Sequence, residues 1–285
     1  MHTKKKLPLV FWEIGITILV VLFVTIYIAI SLSRGSKTPA NETAPQQGAA
    51  TASAETRPSL PLPESNPYKK TDFTYEGDYL TCTAGQSMLG VDVSYWQGII
   101  DWQQVRQAGV EFTILRLGWR GSEQGILAED DYVYTNYTGA KDAGLLVGGY
   151  FFSQAITPEE AIEEARYVLD IIDGWEVDMP IVFDWEYIDQ TARTADVDID
   201  TLIACSKAFC QTITDAGYEA MIYFNLDRVR DLYYLQELSD YGFWLAMYDR
   251  PMEFAYKVDM WQYTCTGTVP GIDTEVDLNL YFKYE

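Results

Sequence analysis

Histidine is almost absent from the chain: His2, near the N-terminus, is the single copy in 285 residues. This excludes Ser-His-Asp catalysis, Cys-His catalysis and a histidine-ligated zinc ion from the globular part of the protein. The four cysteines include no close Cys-x2-Cys pair, which argues against a cysteine-bound zinc ion as well. We therefore expect no metal and no cofactor, and a chemistry that depends on carboxylates, tyrosines, amides or cysteines.

Basic residues are also scarce. The chain has 20 Lys and Arg against 42 Asp and Glu, which gives a formal net charge of -22. A protein of that charge repels the phosphates of nucleic acids and of anionic lipids, so neither is expected as a partner. Proline (11) and glycine (20) are few, whereas 48% of the residues are hydrophobic. This composition predicts one main globular domain with appendages, which we expect to be monomeric.

The N-terminus predicts a membrane anchor. A basic cytoplasmic tail, residues 1–6, precedes the apolar segment 7–32, whose uncharged part, 14–30, is nearly long enough to cross a hydrocarbon core of ~30 Å. Because a basic flank stays in the cytoplasm, we expect a single-pass protein in the cell membrane with its domain outside. The alternative is a cleaved signal peptide, with a small-x-small site at Ala29 and Ser31, which would make the protein secreted.

Residues 33–67 form the next segment, which is rich in Pro, Ala, Thr, Ser, Gln and Glu. With so few aliphatic side chains it buries too little apolar surface to offset the entropy lost on ordering. We interpret it as a disordered linker, and residues 68–285 as the functional domain.

Beyond the linker, β-rich runs alternate with helical stretches. Such alternation predicts parallel strands, and eight of them within about 200 residues predict a closed TIM-like (β/α)5(β)3 barrel whose last part lacks helices. An open doubly wound sheet is the alternative, but the Gly-rich first turn of a nucleotide-binding fold is missing. The predicted strands are 89–93, 112–117, 146–152, 180–186, 219–224, 243–248, 258–263 and 276–280, and the predicted helices are 102–108, 130–143, 158–173, 201–216 and 226–238.

Acidic residues recur at the predicted strand ends, where a barrel of this kind carries its chemistry. Asp92 ends the first strand, Asp184 and Glu186 end the fourth, and Asp277 lies in the eighth. Since side chains two apart on a strand share a face, Asp184 and Glu186 point the same way. Desolvation and like charge should then raise the pKa of at least one of them, which leaves an acid able to donate a proton. The alternative is an exposed loop cluster in an acid-rich protein.

Five short motifs follow one another along the domain: Gly90-Val91-Asp92-Val93-Ser94, Gln97-Gly98 with Ile100-Asp101-Trp102, Asp184-Trp185-Glu186, Trp261-Gln262-Tyr263 and Val276-Asp277-Leu278-Asn279. Their order between Leu89 and Phe282 resembles that of the glycoside hydrolase family 25 muramidases, the Chalaropsis-type lysozymes. The resemblance implies a flattened barrel of eight strands and five helices. It also implies cleavage of the β-1,4 bond between N-acetylmuramic acid and N-acetylglucosamine in peptidoglycan, so that glycan strands are the expected partner.

The resemblance also assigns roles to the acids. Glu186 matches the general acid that protonates the glycosidic oxygen, and the cleft is lined by residues that match Asp184, Asp92 and Asp277. Inversion, a covalent intermediate and assistance by the substrate's acetamide all stay open, because the sequence gives no distance between the carboxylates.

Six further residues are candidates for contact with the substrate. Tyr150 occupies the third strand end, in a Tyr-Phe-Phe run where the family commonly has Tyr-His-Phe, so that Phe151 replaces the histidine. Arg116 is expected to pair with a cleft carboxylate, although an ordinary structural ion pair is an equal alternative. Stacking on sugar faces is expected of the remaining aromatics, with a place in the core as the alternative: Tyr223, Trp244, Tyr248 and Trp261.

The cysteines suggest one disulfide. Cys205 and Cys210 share a predicted helix and lie too far apart to bridge without distortion. Cys82 and Cys265 are the more reasonable pair, since both are expected at the barrel rim outside the membrane, where disulfides persist.

Two classes of function compete for this sequence. The first is a membrane-tethered muramidase, and the second is a catalytically idle protein that binds peptidoglycan on the same fold. Retention of all four matched acids favours the enzyme. A chitinase-like barrel is disfavoured, because its signature has a further Asp two residues before Asp-x-Glu, where Val182 stands.

Overall fold

The computed structural model describes residues 60–226, 232–248 and 250–284. These belong to one compact unit, Pro58–Glu285. The predicted basic tail, the predicted membrane helix and all of the predicted linker up to residue 59 lie outside the described residues. Of the helices that are described, none is both long enough and apolar enough to cross a bilayer.

Eleven strands and five α-helices are present in the described ranges. The strands are β1 (Phe73–Glu76), β2 (Tyr79–Cys82), β3 (Gln86–Val93), β4 (Phe112–Arg120), β5 (Leu127–Glu129), β6 (Leu146–Ser153), β7 (Ile181–Trp185), β8 (Ala220–Asn225), β9 (Gly242–Ala246), β10 (Met260–Gly267) and β11 (Val276–Lys283). The helices are α1 (Trp102–Gln107), α2 (Val133–Asp142), α3 (Pro158–Ile171), α4 (Ile199–Asp215) and α5 (Leu232–Glu237).

Eight of these strands close into a barrel in the order β3, β4, β6, β7, β8, β9, β10 and β11, with β11 paired back to β3. The five helices each connect two successive parallel strands, from β3 to β9. Strand β5 pairs only with β4, and β1 and β2 form a separate hairpin. The predicted eight-stranded, five-helix, TIM-like barrel is therefore confirmed.

The direction of the last strand differs from the prediction. The barrel strands β3, β4, β6, β7, β8, β9 and β10 run parallel, but β11 is antiparallel to both of its neighbours. The reason is the connection: only residues 268–275 separate β10 from β11, and a parallel return requires a crossover of a dozen or more residues. The expectation of eight parallel strands is therefore wrong for β11, and the barrel is mixed.

Local sequence signals account for where the longer helices begin. The Thr157 side chain caps α3 by accepting a hydrogen bond from the Glu160 backbone N–H, and Pro158 occupies the first helical position, where no N–H is needed. Asp198 caps α4 in the same way through the Thr201 N–H. Each helix then turns apolar residues toward the outer face of the barrel, where most of the core lies.

The interior of the barrel is filled by alternate residues of its strands. Its lower layers are apolar and include Phe112 and Ile114 of β4, Val182 of β7 and Met221 of β8. Gly90 of β3 leaves the space that the Phe112 ring occupies, since a Cβ atom there would lie 2.2 Å from that ring. The interior is therefore packed and closed below the polar layer at the carboxyl ends of the strands.

The stretch 60–67, assigned above to the linker, contacts the barrel domain. The Gln236 side chain donates hydrogen bonds to the carbonyls of Leu60 and Pro61, and Ser65 forms a β-bridge with Tyr256. Tyr256 lies just before β10 and Gln236 lies shortly before β9. The chain thus meets the domain at the end of the barrel where β9 and β10 begin.

All four cysteines lie in the described residues, and none of them forms a disulfide bond. The predicted Cys82–Cys265 disulfide is therefore wrong. A bridge requires two side chains that point toward each other, whereas Cys82 is buried in the core and Cys265 is exposed on β10. The absence of a bridge between Cys205 and Cys210 is confirmed.

The packing at Gly90 gives a prediction about stability. Gly90→Ala should destabilise the fold by about 1–3 kcal/mol, the usual cost of overpacking, because Phe112 is fully buried and has little room to move. Gly121→Ala is a matched control, since its Cβ atom would be no closer than 3.6 Å to another residue. Urea unfolding of both variants measures the difference. Equal stability of the two variants would contradict the packing argument.

Candidate active site

A polar cleft of about 250 Å³ opens at the carboxyl ends of the parallel barrel strands. It combines the four predicted acids with tyrosines, amides and one arginine. The residues that line it are Asp92, Val93, Ser94, Trp96, Gln97, Arg116, Tyr150, Phe152, Asp184, Glu186, Tyr223, Trp244, Tyr248, Gln262 and Asp277.

The barrel topology brings the four acids together. Asp92 lies near the end of β3, Asp184 lies on β7, and Glu186 follows that strand by one residue. Asp277 is the second residue of β11, so in a parallel strand it would lie at the opposite end of the barrel. The antiparallel direction of β11 instead places Asp277 directly opposite Asp92 in the ladder.

Two side-chain amides hold Asp92 in place. Gln262 Nε2 and Asn279 Nδ2 each donate a hydrogen bond of 2.8 Å to Asp92 Oδ2. The Trp244 indole N–H, which can only donate, lies 2.9 Å from Asn279 Oδ1. That contact fixes the orientation of the Asn279 amide, so its NH2 group must face Asp92.

Gln262 is oriented by the same logic. Its Oε1 atom accepts a hydrogen bond of 2.6 Å from the Tyr248 hydroxyl and a longer one, 3.5 Å, from the Tyr223 hydroxyl. The Gln262 NH2 group is thereby directed at Asp92. Trp244, Tyr248 and Tyr223 thus fix the orientation of the two amides that donate hydrogen bonds to Asp92.

Burial and like charge raise the pKa values of three of the acids. The pKa of Asp92 rises to about 6 through desolvation, against the lowering effect of its bonds from Asn279 and Gln262. That of Asp277 rises to about 8 through desolvation and the nearby Asp92 and Glu186. Desolvation, followed by the charges of Glu186 and Asp92, raises the pKa of Asp184 well above its ordinary value.

Asp184 is buried with little support from hydrogen-bond donors. It is only 5% exposed, and its Oδ1 atom accepts no hydrogen bond from any described residue. A buried carboxylate without donors is costly to ionise, which agrees with the direction of its pKa shift. The prediction that the Asp184–Glu186 pair would contain a carboxyl group of raised pKa is confirmed for Asp184.

The predicted sugar contacts divide into two groups. Tyr150, Tyr223, Trp244 and Tyr248 line the cleft, and Trp244 is almost fully buried with the Tyr150 and Tyr223 rings packed edge-on against it. Trp261 points to the outside of the barrel, where its indole N–H donates to the Met247 carbonyl and its ring packs against Phe73. The structure therefore does not bring Trp261 to the cleft.

Phe151, which stands where the family commonly has histidine, also faces away from the cleft. It is fully buried and packs edge-on against Tyr167 of α3. The neighbouring Phe152 is the residue that lines the cleft. The loss of the histidine thus leaves the residues that line the cleft unaffected.

Arg116 lines the cleft but forms its ion pair elsewhere. Its guanidinium group binds Asp130 through Nε at 2.8 Å and Nη2 at 2.7 Å, and it lies over the rings of Tyr95 and Trp119. Of the two alternatives for Arg116, the structure supports the structural ion pair. Its positive charge still lowers the pKa of Asp184, although desolvation of that group prevails.

Gln262, Asn279 and Trp96 are among the residues of the site that were not assigned a role from the sequence. Gln262 and Asn279 hold Asp92, and Trp96, which is 67% exposed, stands at the cleft beside Tyr95. Asn279 follows Asp277 by two residues and thus shares its face of the strand. That spacing was the available signal for Asn279, whereas Gln262 has no acidic neighbour on its own strand.

The family profile described as "Glycosyl hydrolases family 25" matches residues 91–272. This range covers more than half of the chain and contains Asp92, Asp184 and Glu186. The chain belongs to glycosyl hydrolase family 25.

Two curated relatives of this family 25 chain are bacterial lysozymes. It is 27% identical over 194 residues to the autolytic lysozyme of Clostridium acetobutylicum. The matched region covers 67% of this chain and 55% of the relative. It is 27% identical over 214 residues to Lysozyme M1 of Streptomyces globisporus, with 67% of each chain covered. The chain thus spans little more than half of the clostridial protein.

Solved structures show the same fold. The modular autolysin LytC from Streptococcus pneumoniae has a TM-score of 0.60 at 25% identity, with 69% of this chain and 47% of that chain covered. The bacterial lysozyme from Streptomyces coelicolor has a TM-score of 0.55 at 25% identity, with 70% and 94% covered. LytC has also been solved in complex with a synthetic peptidoglycan ligand.

The raised pKa values make the stability of this family 25 domain depend on pH. The pKa of Asp277 is about 8 in the folded protein, against 3.8 for an unperturbed group, so between these values the folded state binds more protons than the unfolded chain. Stability should therefore fall as the pH rises from 4 toward 8. Asp277→Asn should reduce that fall, because the amide does not ionise.

The measurement is the urea midpoint at pH 5 and at pH 8 for the wild type and for two variants. Glu123→Gln is the control, since it removes one negative charge at an exposed position. An equal reduction of the pH dependence in both variants would mean that total charge, and not burial of Asp277, causes it.

Proposed function

We propose that this protein is a lysozyme-type muramidase that hydrolyses the β-1,4 bond between N-acetylmuramic acid and N-acetylglucosamine in bacterial peptidoglycan. One observation carries the proposal: four carboxyl groups converge in a single cleft at the carboxyl end of the barrel. Three of them lie on separate strands, and that of Glu186 directly follows one of these strands. Membership of family 25 and the names of the curated relatives support the choice of reaction.

The chemistry requires a proton donor. A glycosidic oxygen is a poor leaving group, so a positioned acid must protonate it as positive charge develops on the sugar ring. Glu186 is our candidate for that acid, because it lines the cleft, is half-buried and follows Asp184 on the same face. Its matched position in the family supports the assignment.

The other acids have different environments and hence different roles. Asp92 receives two amide hydrogen bonds, and its pKa, near 6, lies below that of Asp277, near 8. We assign it the role of anchor for the polar network. Asp184 has an oxygen that no described residue contacts by a hydrogen bond, and it lies beside Glu186, which suits it to orient the substrate's acetamido group or to stabilise positive charge.

The proposed substrate is a glycan strand of peptidoglycan. Tyr150, Tyr223 and Tyr248 line the floor of the cleft, and the exposed Trp96 ring stands among the residues that border it. Hydroxyl groups and aromatic faces together are what sugars bind. The complex of LytC with a synthetic peptidoglycan ligand supports this substrate class.

Digestion of purified peptidoglycan tests the reaction. The full-length protein should release fragments whose new reducing ends are muramic acid, because the bond on that side of the muramic residue is the one broken. Reduction with borohydride followed by sugar analysis identifies the end. Glucosamine at the reducing end would make the protein a glucosaminidase, and peptidoglycan that is bound but not cleaved would leave an idle binding protein.

Glu186→Gln tests the proton donor. The amide keeps the shape of the side chain but has no proton to transfer, so turnover should fall by at least the ~10²–10⁴-fold that general acid catalysis supplies, with the fold and glycan binding nearly intact. The rate of release of reducing ends measures this. A variant that digests peptidoglycan at the wild-type rate would disprove the role of Glu186 and move the search to Asp92 and Asp277.

Asp184→Asn tests the neighbouring carboxyl group. Turnover should fall here as well, because an amide cannot carry the negative charge that stabilises a positive sugar ring. Glu123→Gln, at an exposed position away from the cleft, is the matched acid-to-amide control and should keep the wild-type rate. A loss in the control equal to that in Asp184→Asn would point to a general effect of charge.

A further inference from the structure

The side chain of Gln154 lies behind the cleft, fully buried, between the ends of two neighbouring strands. Its Nε2 atom donates two hydrogen bonds of 2.8 Å, one to the carbonyl of Ser153 and one to the carbonyl of Glu186. Ser153 ends β6, and Glu186 follows the last residue of β7. The amide thus joins the two strands one position beyond their last ladder pair, Ser153 with Trp185.

The orientation of this amide is determined by its neighbours. Both backbone carbonyls can only accept, so the NH2 group must face them. The opposite atom, Oε1, accepts a hydrogen bond of 2.9 Å from the hydroxyl of Thr194, which is itself buried. Every polar atom of the Gln154 side chain therefore has a partner, as a buried amide requires.

A second contact ties the same two strand ends from the other side. The indole N–H of Trp185 donates a hydrogen bond of 3.0 Å to the carbonyl of Ala155. Each strand end thus supplies one side chain to the backbone of the other. Glu186 is held through its own backbone carbonyl by Gln154, and its neighbour Trp185 is held through its indole group, so both residues are tied to the segment that follows β6.

We propose that Gln154 is a positioning residue for Glu186: it fixes the backbone from which the acid side chain enters the cleft. The proposal rests on the function proposed above. Gln154 is absent from the lining of the cleft, so it acts through Glu186 and not on the substrate. Because general acid catalysis depends on the distance between the donor and the leaving oxygen, a shift of about 1 Å at Glu186 can cost about 10²-fold in rate.

The first test replaces Gln154 by methionine, which has a similar length but no hydrogen-bond donor. In the full-length protein, Gln154→Met should lower kcat for peptidoglycan on the order of 10- to 100-fold, while KM changes little, because the residues that line the cleft are kept. Gln211→Met is the matched control, since Gln211 is exposed on α4 and bonds only to Asp215 of the same helix. A wild-type kcat in Gln154→Met would overturn the proposal.

A double variant separates positioning from a general structural role. If Gln154 acts through the acid of Glu186, then adding Gln154→Met to Glu186→Gln should cause almost no further loss of turnover. If the second change instead lowers the remaining rate by the same factor as it does alone, Gln154 supports the domain as a whole and the proposal is wrong.

Thr194 provides a milder variant if Gln154→Met does not fold. Thr194→Val removes the hydroxyl that orients the Gln154 amide and keeps the shape of the side chain, so kcat should fall by a smaller factor and Thr194→Ser should restore it. A Thr194→Val protein with wild-type kcat would count against the proposal. If the wild type itself cleaves no peptidoglycan, the proposed function is wrong. If the wild type is active and the variants keep its kcat, only the role of Gln154 is wrong.

Discussion

Strand β11 pairs with β3 from Asp277 opposite Asp92 to Lys283 opposite Gln86, and this antiparallel ladder closes the barrel and places two carboxyl groups side by side. The same reversal brings Asn279 within reach of Asp92, since Asn279 follows Asp277 on the same face. Had β11 run parallel, Asp277 would lie at the other end of the barrel, away from Asp92. Both the closure of the sheet and the composition of its polar layer thus depend on one short connection.

The barrel distributes its hydrogen-bond donors unequally among the buried acids. Asp92 receives amide donors that are themselves directed by Trp244 and Tyr248, whereas one oxygen of Asp184 has no donor among the described residues. Burial of an unsupported carboxylate is expensive, and that cost raises the pKa values of Asp184 and Asp277. The placement of a few amides therefore gives neighbouring acids in one small cleft different pKa values.

Much of this arrangement could be predicted from the sequence, because it follows from local patterns. The run Ile181-Val182-Phe183 is apolar on both faces, which predicts a buried strand, and the period of two places Asp184 and Glu186 on the same face. The direction of β11 depends instead on the length of the connection before it. Trp261 and Gln262 are neighbours that face opposite sides of the sheet, so the role of each depended on which face of β10 points inward.

Contacts between distant segments were beyond the reach of local patterns. Gln154 and Glu186 lie 32 residues apart, and only the pairing of β6 with β7 brings the amide to the carbonyl. The missing bridge between Cys82 and Cys265 illustrates the same limit, since the sequence placed both near the rim but held no information on which side chain was buried. Register and side-chain direction, which arise from the whole barrel, decided these cases.

The point at which the chain joins the domain has a consequence for access. Leu60 and Ser65 contact the end of the barrel where β9 and β10 begin, while the acids lie at the end where the parallel strands finish. The barrel itself therefore stands between the covalent attachment of the upstream chain and the mouth of the cleft. A long polymer can therefore reach that mouth from the side of the barrel opposite Leu60.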